Sequence, residues 1–95
     1  MQFEWDPKKA ALNYEKHGVT FDEASSVFDD GNAQIAYDPD HSIVEHREII
    51  IGTSTLKRVL FISFTERGIF TRIISARRAN KYERKDYEDK KTNEA

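Results

Sequence analysis

The sequence predicts an α+β domain built on one small twisted sheet, and three observations carry that prediction. Apolar residues recur with helical spacing up to Asp30 and change to strand character from Ala33 onward. Helix-start chemistry occurs at Asp6-Pro7, at Thr20 with Glu23, and at Asn80 with Glu83. Between the second and third of these starts lie four strand-like runs with no helix among them, which makes the expected sheet an antiparallel meander.

Each element follows in order. Phe3-Glu4-Trp5 reads as a short opening strand, with Trp5, the only tryptophan, as a core residue. Asp6 offers an acceptor at the N-cap and Pro7 a preset φ at the first helical position. The helix is expected to reach about His17, with Ala10, Ala11 and Tyr14 inward and Gly18 as the left-handed stop. Thr20 to Glu23 forms a capping box whose hydroxyl and carboxylate satisfy reciprocal amides. The short helix behind it presents Phe21, Ala24, Val27 and Phe28 and stops at Asp29-Asp30-Gly31. Strands are expected over Ala33–Tyr37, Glu45–Gly52, Arg58–Thr65 and Phe70–Arg77, joined by the Asp38–His41 turn and a tight Glu66-Arg67-Gly68 connection. Apolar residues of both parities in the central runs imply cover on both faces. A polar terminal helix then carries Tyr82 and Tyr87, and 91–95 reads as a frayed tail. No linker or repeat divides residues 1–95, so a single domain is expected.

Composition narrows the class. The absence of cysteine removes disulfides, thiolate nucleophiles and cysteine-based metal sites together. The N-terminus lacks a basic region followed by an apolar one, and no apolar run is long enough to span a bilayer. A cytoplasmic protein without membrane contact is expected. The net charge of −2 hides an asymmetry: residues 1–56 hold four Lys/Arg against eleven Asp/Glu, and residues 57–95 hold eleven against six. One surface for a polyanion and another for a basic partner would explain it, and so would charges dispersed by folding.

Several segments together carry a family signature. They are Phe3-Glu4-Trp5-Asp6-Pro7-Lys8-Lys9, Asn13 with Lys16-His17-Gly18-Val19, Phe21-Asp22-Glu23-Ala24, and Val27-Phe28-Asp29. Downstream are Glu45-His46-Arg47, Arg72-Ile73-Ile74-Ser75-Ala76-Arg77, Glu83-Arg84 and Tyr87. In order and spacing they resemble the BrnT family over nearly the whole chain. The resemblance implies a RelE-like fold and a type II toxin that cleaves RNA and inhibits translation. It also implies neutralisation by a BrnA-type antitoxin in a hetero-oligomer, which reaches operator DNA only through the antitoxin.

Metal-free RNA cleavage needs a proton acceptor for the 2′-hydroxyl, a charge holder for the phosphate and a proton donor for the leaving oxygen. With no metal-binding motif and no cofactor expected, the charge-holding task falls to arginine, whose fork grips two phosphate oxygens. Arg47, Arg72 and Arg77 are the catalytic candidates, with Glu83 to orient an arginine and Tyr87 to stack on a base or donate a proton. Arg67, Arg78 and Arg84 are candidates for RNA contact. Structural readings stand beside these roles: surface ion pairs for the arginines (Arg47 with Glu45, Arg72 across the sheet), and helix docking for Tyr82 and Tyr87 with Glu83 completing a cap. In an unbroken strand Arg72 and Arg77 face opposite sides, so they share a site only through a bulge or beyond the strand end. His17 is a possible acid or base, or a cap for the last carbonyls of its helix. His41 and His46 form no ligand constellation. The competing readings of the whole chain are a non-catalytic partner- or RNA-binding module, a degenerate toxin copy, and a lone DNA-binding regulator. The last finds no recognition helix in the sequence.

Overall fold

The computed structural model describes residues 1–41 and 45–93. Strand β1 (Gln2–Glu4) leads into α1 (Pro7–His17) and α2 (Phe21–Ser26), the latter extended by a 3-10 turn over Val27–Asp29. Strands β2 (Gln34–Tyr37), β3 (Glu48–Thr53), β4 (Val59–Arg67) and β5 (Phe70–Arg78) follow, and α3 (Lys81–Asn93) closes the chain. Residues 94–95 of the expected tail lie outside the described residues. The five strands lie in the order β1-β5-β4-β3-β2. The sheet is mixed rather than wholly antiparallel, because β1 pairs in parallel with β5, Gln2 to Glu4 against Phe70 to Arg72. Two helices between β1 and the meander carry the chain across the sheet, which permits that parallel pairing.

Local chemistry sets the helix ends. Asp6 accepts from the Lys8 and Lys9 amides, and Gly18 at φ 69° turns the chain out of α1. Thr20 caps α2 by accepting from the Glu23 amide. The reciprocal half of that capping box does not form: the Glu23 carboxylate instead takes Ser54 Oγ at 2.7 Å and the Arg58 guanidinium. A partly desolvated arginine outcompetes a backbone amide for a carboxylate.

The core lies between one face of the sheet and α1–α2. Val19, Phe21, Ala24 and Val27 pack on Ile50, Leu60, Ile62, Phe64, Ile73 and Ala76. Phe28 bridges Phe3 and Phe64 through edge-to-face contacts at 5.1 Å each, and Trp5 meets Phe21 in the same way. Gly52 lets the 3-10 turn approach, since a Cβ there would come within 3.0 Å of Ala33, Val27 and Asp30.

The inner face of α1 differs from expectation. Ala11 and Tyr14 are exposed, and the buried residue of α1 is Asn13. Its carboxamide donates to the Val19 and Ala76 carbonyls at 3.0 and 2.8 Å and accepts from the Ala76 amide at 3.1 Å. β1 covers β5 only as far as Arg72. The Asn13 side chain therefore completes the β5 edge in place of a strand residue. A polar residue is buried because the backbone groups it satisfies would otherwise be orphaned.

Candidate functional site

A bulge in β5 builds the site. Ser63 pairs with Ser75 and Phe64 with Ile73, so Ile74 is the extra residue. The insertion reverses the alternation: Thr71 and Ile73 are buried before it and Ala76 after it. Arg72 and Arg77 consequently emerge on one face, the face turned away from α1 and α2. Opposite them on β4 stand Thr65 and Phe61. The row through Arg72 extends both ways. Glu4 is its neighbour on β1. Arg47 directly precedes β3, whose first residue Glu48 pairs with Phe64, and its carbonyl accepts from the Asp38 amide at 2.9 Å. Thr65 Oγ1 fastens this segment to β4 by donating to the neighbouring His46 carbonyl at 2.5 Å. Arg47 thus enters the sheet on the far side of β4 from Arg72, which pairs with Thr65.

Each arginine is held differently. Arg77 Nη1 and Nη2 donate to the two Glu83 carboxylate oxygens at 2.8 and 2.9 Å, and Nη1 also reaches the Arg78 carbonyl at 3.2 Å. The Phe61 ring lies beneath the guanidinium, 4.0 Å from Cζ. Glu83 is fixed in turn by a complete capping box with Asn80, both bonds 2.8 Å. Among the described residues no acceptor meets Arg77 Nε–H or the second Nη2 proton, so one two-donor edge faces outward. Hydrogen bonds from Arg77, with the Asn80 amide, hold the Glu83 carboxyl below the usual carboxylate range against the cost of its burial. Arg72 is looser: its Nη1 lies 3.5 Å from Glu4 Oε1 and its side chain is 27% exposed. Arg47 Nε lies 4.0 Å from Glu45 Oε1.

The remaining nominated residues separate. Arg67, exposed at the hairpin end of β4, shares the face by parity. Arg78 has the opposite parity and adds its charge to Glu23 on the helix side, so it is not part of the arginine face. Arg84 is exposed on α3 beside Glu83. His17 ends α1, the helix that packs on the sheet face opposite the arginines. His46 stacks on Tyr37 at 4.6 Å and lies 3.4 Å from Glu48. The His41 side chain is outside the described residues.

Tyr87 is 2% exposed. Its hydroxyl donates to Asp30 Oδ2 at 2.5 Å and accepts from Thr53 Oγ1 at 2.9 Å. Burial, with the Asp30 bond, raises the phenol above its ordinary value. A ring so enclosed cannot stack on a base, which corrects that expectation and leaves helix docking. Tyr82, by contrast, is 78% exposed and docks nothing. Tyr87→Phe is expected to cost about 1–3 kcal/mol in denaturant unfolding. A variant as stable as the wild type would show that the hydroxyl does not hold α3 to the sheet.

The sequence pointed to the arginines and Glu83 but not to Glu4, Phe61, Ser63, Thr65 and Ser75, which complete this face between and beneath them. Their parity was readable, but the bulge that aligns Arg72 with Arg77 has no sequence mark such as a glycine. Among the described residues no group of three or more His, Asp or Glu side chains is placed to hold a metal ion. No helix there is long and apolar enough to cross a membrane.

The family described as "Ribonuclease toxin, BrnT, of type II toxin-antitoxin system" matches residues 5–83. No curated protein sequence matches the chain. Among solved structures, the Brucella abortus ribonuclease toxin BrnT superposes with a TM-score of 0.65 at 24% identity, over 85% of this chain and 99% of that one. At that identity the likeness concerns the fold.

Proposed function

Because the chain belongs to the BrnT family of type II ribonuclease toxins, we propose that the outer sheet face carrying Arg47, Arg72 and Arg77 is its endoribonuclease site. The observation behind this reading is the β5 bulge, which brings Arg72 and Arg77 to one face. Each lies against a carboxylate of a neighbouring element, Arg77 held by two bonds to Glu83 and Arg72 more loosely beside Glu4. RNA lies across this face. Its scissile phosphate is gripped by the outward Nε/Nη2 edge of Arg77 and by Arg72, while Arg47 and Arg67 hold flanking phosphates. The 2′-hydroxyl attacks the phosphorus in line, its proton passing to Glu4, while the bond to the 5′-oxygen breaks and that oxygen takes a proton from water, so the products are a cyclic phosphate and a free 5′-hydroxyl. Arginines preorganised in a partly desolvated site supply most of the rate, because they meet charge that grows in the transition state.

On this reading residues 1–95 act as a single cytoplasmic toxin domain that inhibits translation by cutting RNA. A BrnA-type antitoxin neutralises it in a hetero-oligomer and is the part that touches operator DNA. Cleavage is independent of a metal ion, a reading supported by a face furnished with guanidinium groups rather than clustered carboxylates. The test is cleavage of single-stranded RNA by the purified protein with and without EDTA, with product ends assayed for cyclic phosphate. Equal rates and cyclic ends are expected. RNA that is bound but never cut by folded protein would make the chain a binding module, and a rate abolished by EDTA would remove metal independence.

A further inference from the structure

Among the described residues the buried polar side chains are bonded to the protein, with one exception. They are Asn13, Glu23, Ser54, Ser63, Thr65 and Thr71. Asn13 closes the β5 edge, Glu23 takes Ser54 and Arg58, and the Thr65 hydroxyl donates to the His46 carbonyl. Thr71 Oγ1 reaches both Glu66 carboxylate oxygens, at 3.2 and 3.1 Å. Ser63, only 9% exposed, differs: among the described residues its hydroxyl meets no hydrogen-bond partner. The same holds for the exposed Ser75, which faces it across the β4–β5 ladder. A buried hydroxyl without a partner gives up its bonds to water and gains none from the protein, so folding gives no reason to keep it.

Its position gives one. Ser63 lies on the outer face between Phe61 and Thr65 of β4, and Ser75 stands beside it on β5. Arg77 follows Ser75 by two residues, and Arg72 precedes it across the bulged Ile74. Backbones of a cross-strand pair lie about 5 Å apart, so the two hydroxyls make one donor patch between the two arginines. We propose that Ser63 and Ser75 bind the scissile phosphate, both donating to the non-bridging oxygen turned toward the sheet, while the arginines hold it from either side. This rests on the ribonuclease reading and adds two substrate contacts to it. A hydroxyl rotates to follow its acceptor, so each donor can track that oxygen as the phosphorus becomes five-coordinate. Charge grows on the same oxygen at that stage, and donors already in place meet it without reorganising.

The test compares the full-length wild type with Ser63→Ala and Ser75→Ala on an RNA with a single cleavage site, alongside denaturant unfolding. Each substitution is expected to lower kcat roughly ten- to a hundredfold, the worth of a hydrogen bond to a charged group. Neither should lower the unfolding midpoint, because no internal bond is lost, and Ser63→Ala should leave it unchanged or raise it. Sulfur in place of the sheet-facing oxygen reads the contact directly, since sulfur accepts hydrogen bonds poorly. On one phosphorothioate diastereomer the wild type should slow and the serine variants should lose little more. On the other the full serine effect should persist. Wild-type kcat in either variant, a loss that comes with a lowered midpoint, or an equal serine effect on both diastereomers overturns the proposal and leaves the arginine site standing. Folded wild-type protein that binds RNA without cutting it overturns the ribonuclease reading itself, and this contact with it.

Discussion

Arg72→Ala is expected to lower RNA cleavage about 10²–10³-fold, the usual cost of removing one preorganised charge donor from a transition state. Because the pair with Glu4 is partly exposed and loose at 3.5 Å, stability should fall by no more than ~0–1 kcal/mol. Arg77→Ala makes the informative comparison. It removes a similar donor, but it also frees Glu83 and the first turn of α3 from β5. Its melting temperature should therefore drop more than that of Arg72→Ala. Arg77→Lys keeps the charge but cannot hold Glu83 with one pair of donors while offering another to phosphate. Cleavage by it should stay close to that of the alanine variant. For Arg72→Ala the loss should appear more in kcat than in KM, since the contact to the phosphate strengthens as its charge grows in the transition state. A folded Arg72→Ala protein with wild-type kcat would show that the arginine face is structural, and the catalytic site would have to be sought elsewhere.

How much of this was legible beforehand differs by element. Helix ends were readable wherever a side chain bonds its own neighbourhood: Asp6 before Pro7, Gly18 after His17, Asn80 with Glu83. Such signals are local and owe little to the rest of the fold. The errors came where a distant partner decided. Asn13 reads as a polar helix residue until β5 arrives with an unsatisfied edge, and Glu23 reads as half of a capping box until Arg58 does. The parallel pairing of β1 likewise depends on where two helices return the chain. At the site, the residue types were visible but their convergence was not. Strict alternation separates Arg72 from Arg77, and only Ile74 falling out of register reunites them. Tyr87 shows the converse. Its spacing from Glu83 suggested chemistry, yet Asp30, from a turn between α2 and β2, holds its hydroxyl.

The largest stability effect should come from the opposite face. Glu23 is buried, its side chain 4% exposed, and it accepts Ser54 Oγ, Arg58 Nε and Arg58 Nη2, while Nη2 also reaches the Gly18 carbonyl at 3.1 Å. This cluster ties the start of α2 to the β3–β4 hairpin. Arg58→Ala leaves a desolvated carboxylate with one hydroxyl, and a loss of about 3–5 kcal/mol is expected at neutral pH. That is a large part of the ~5–15 kcal/mol that holds a domain folded. The pH dependence identifies the cause. In the wild type, hydrogen bonds from Arg58 keep the Glu23 pKa below its ordinary 4.5 despite burial. The associated stability is thus fully present above that value and is lost as pH falls through the folded pKa. Without Arg58 the largest lowering influence is gone, and the folded pKa moves up toward the unfolded one. The variant then loses less stability than the wild type on protonation, so the gap between the two proteins should narrow as pH falls from 7 toward 4. Denaturant unfolding of both proteins across that range measures it. A gap independent of pH would mean that the loss comes from the Gly18 contact and packing of the arginine stem, with the ion pair contributing little.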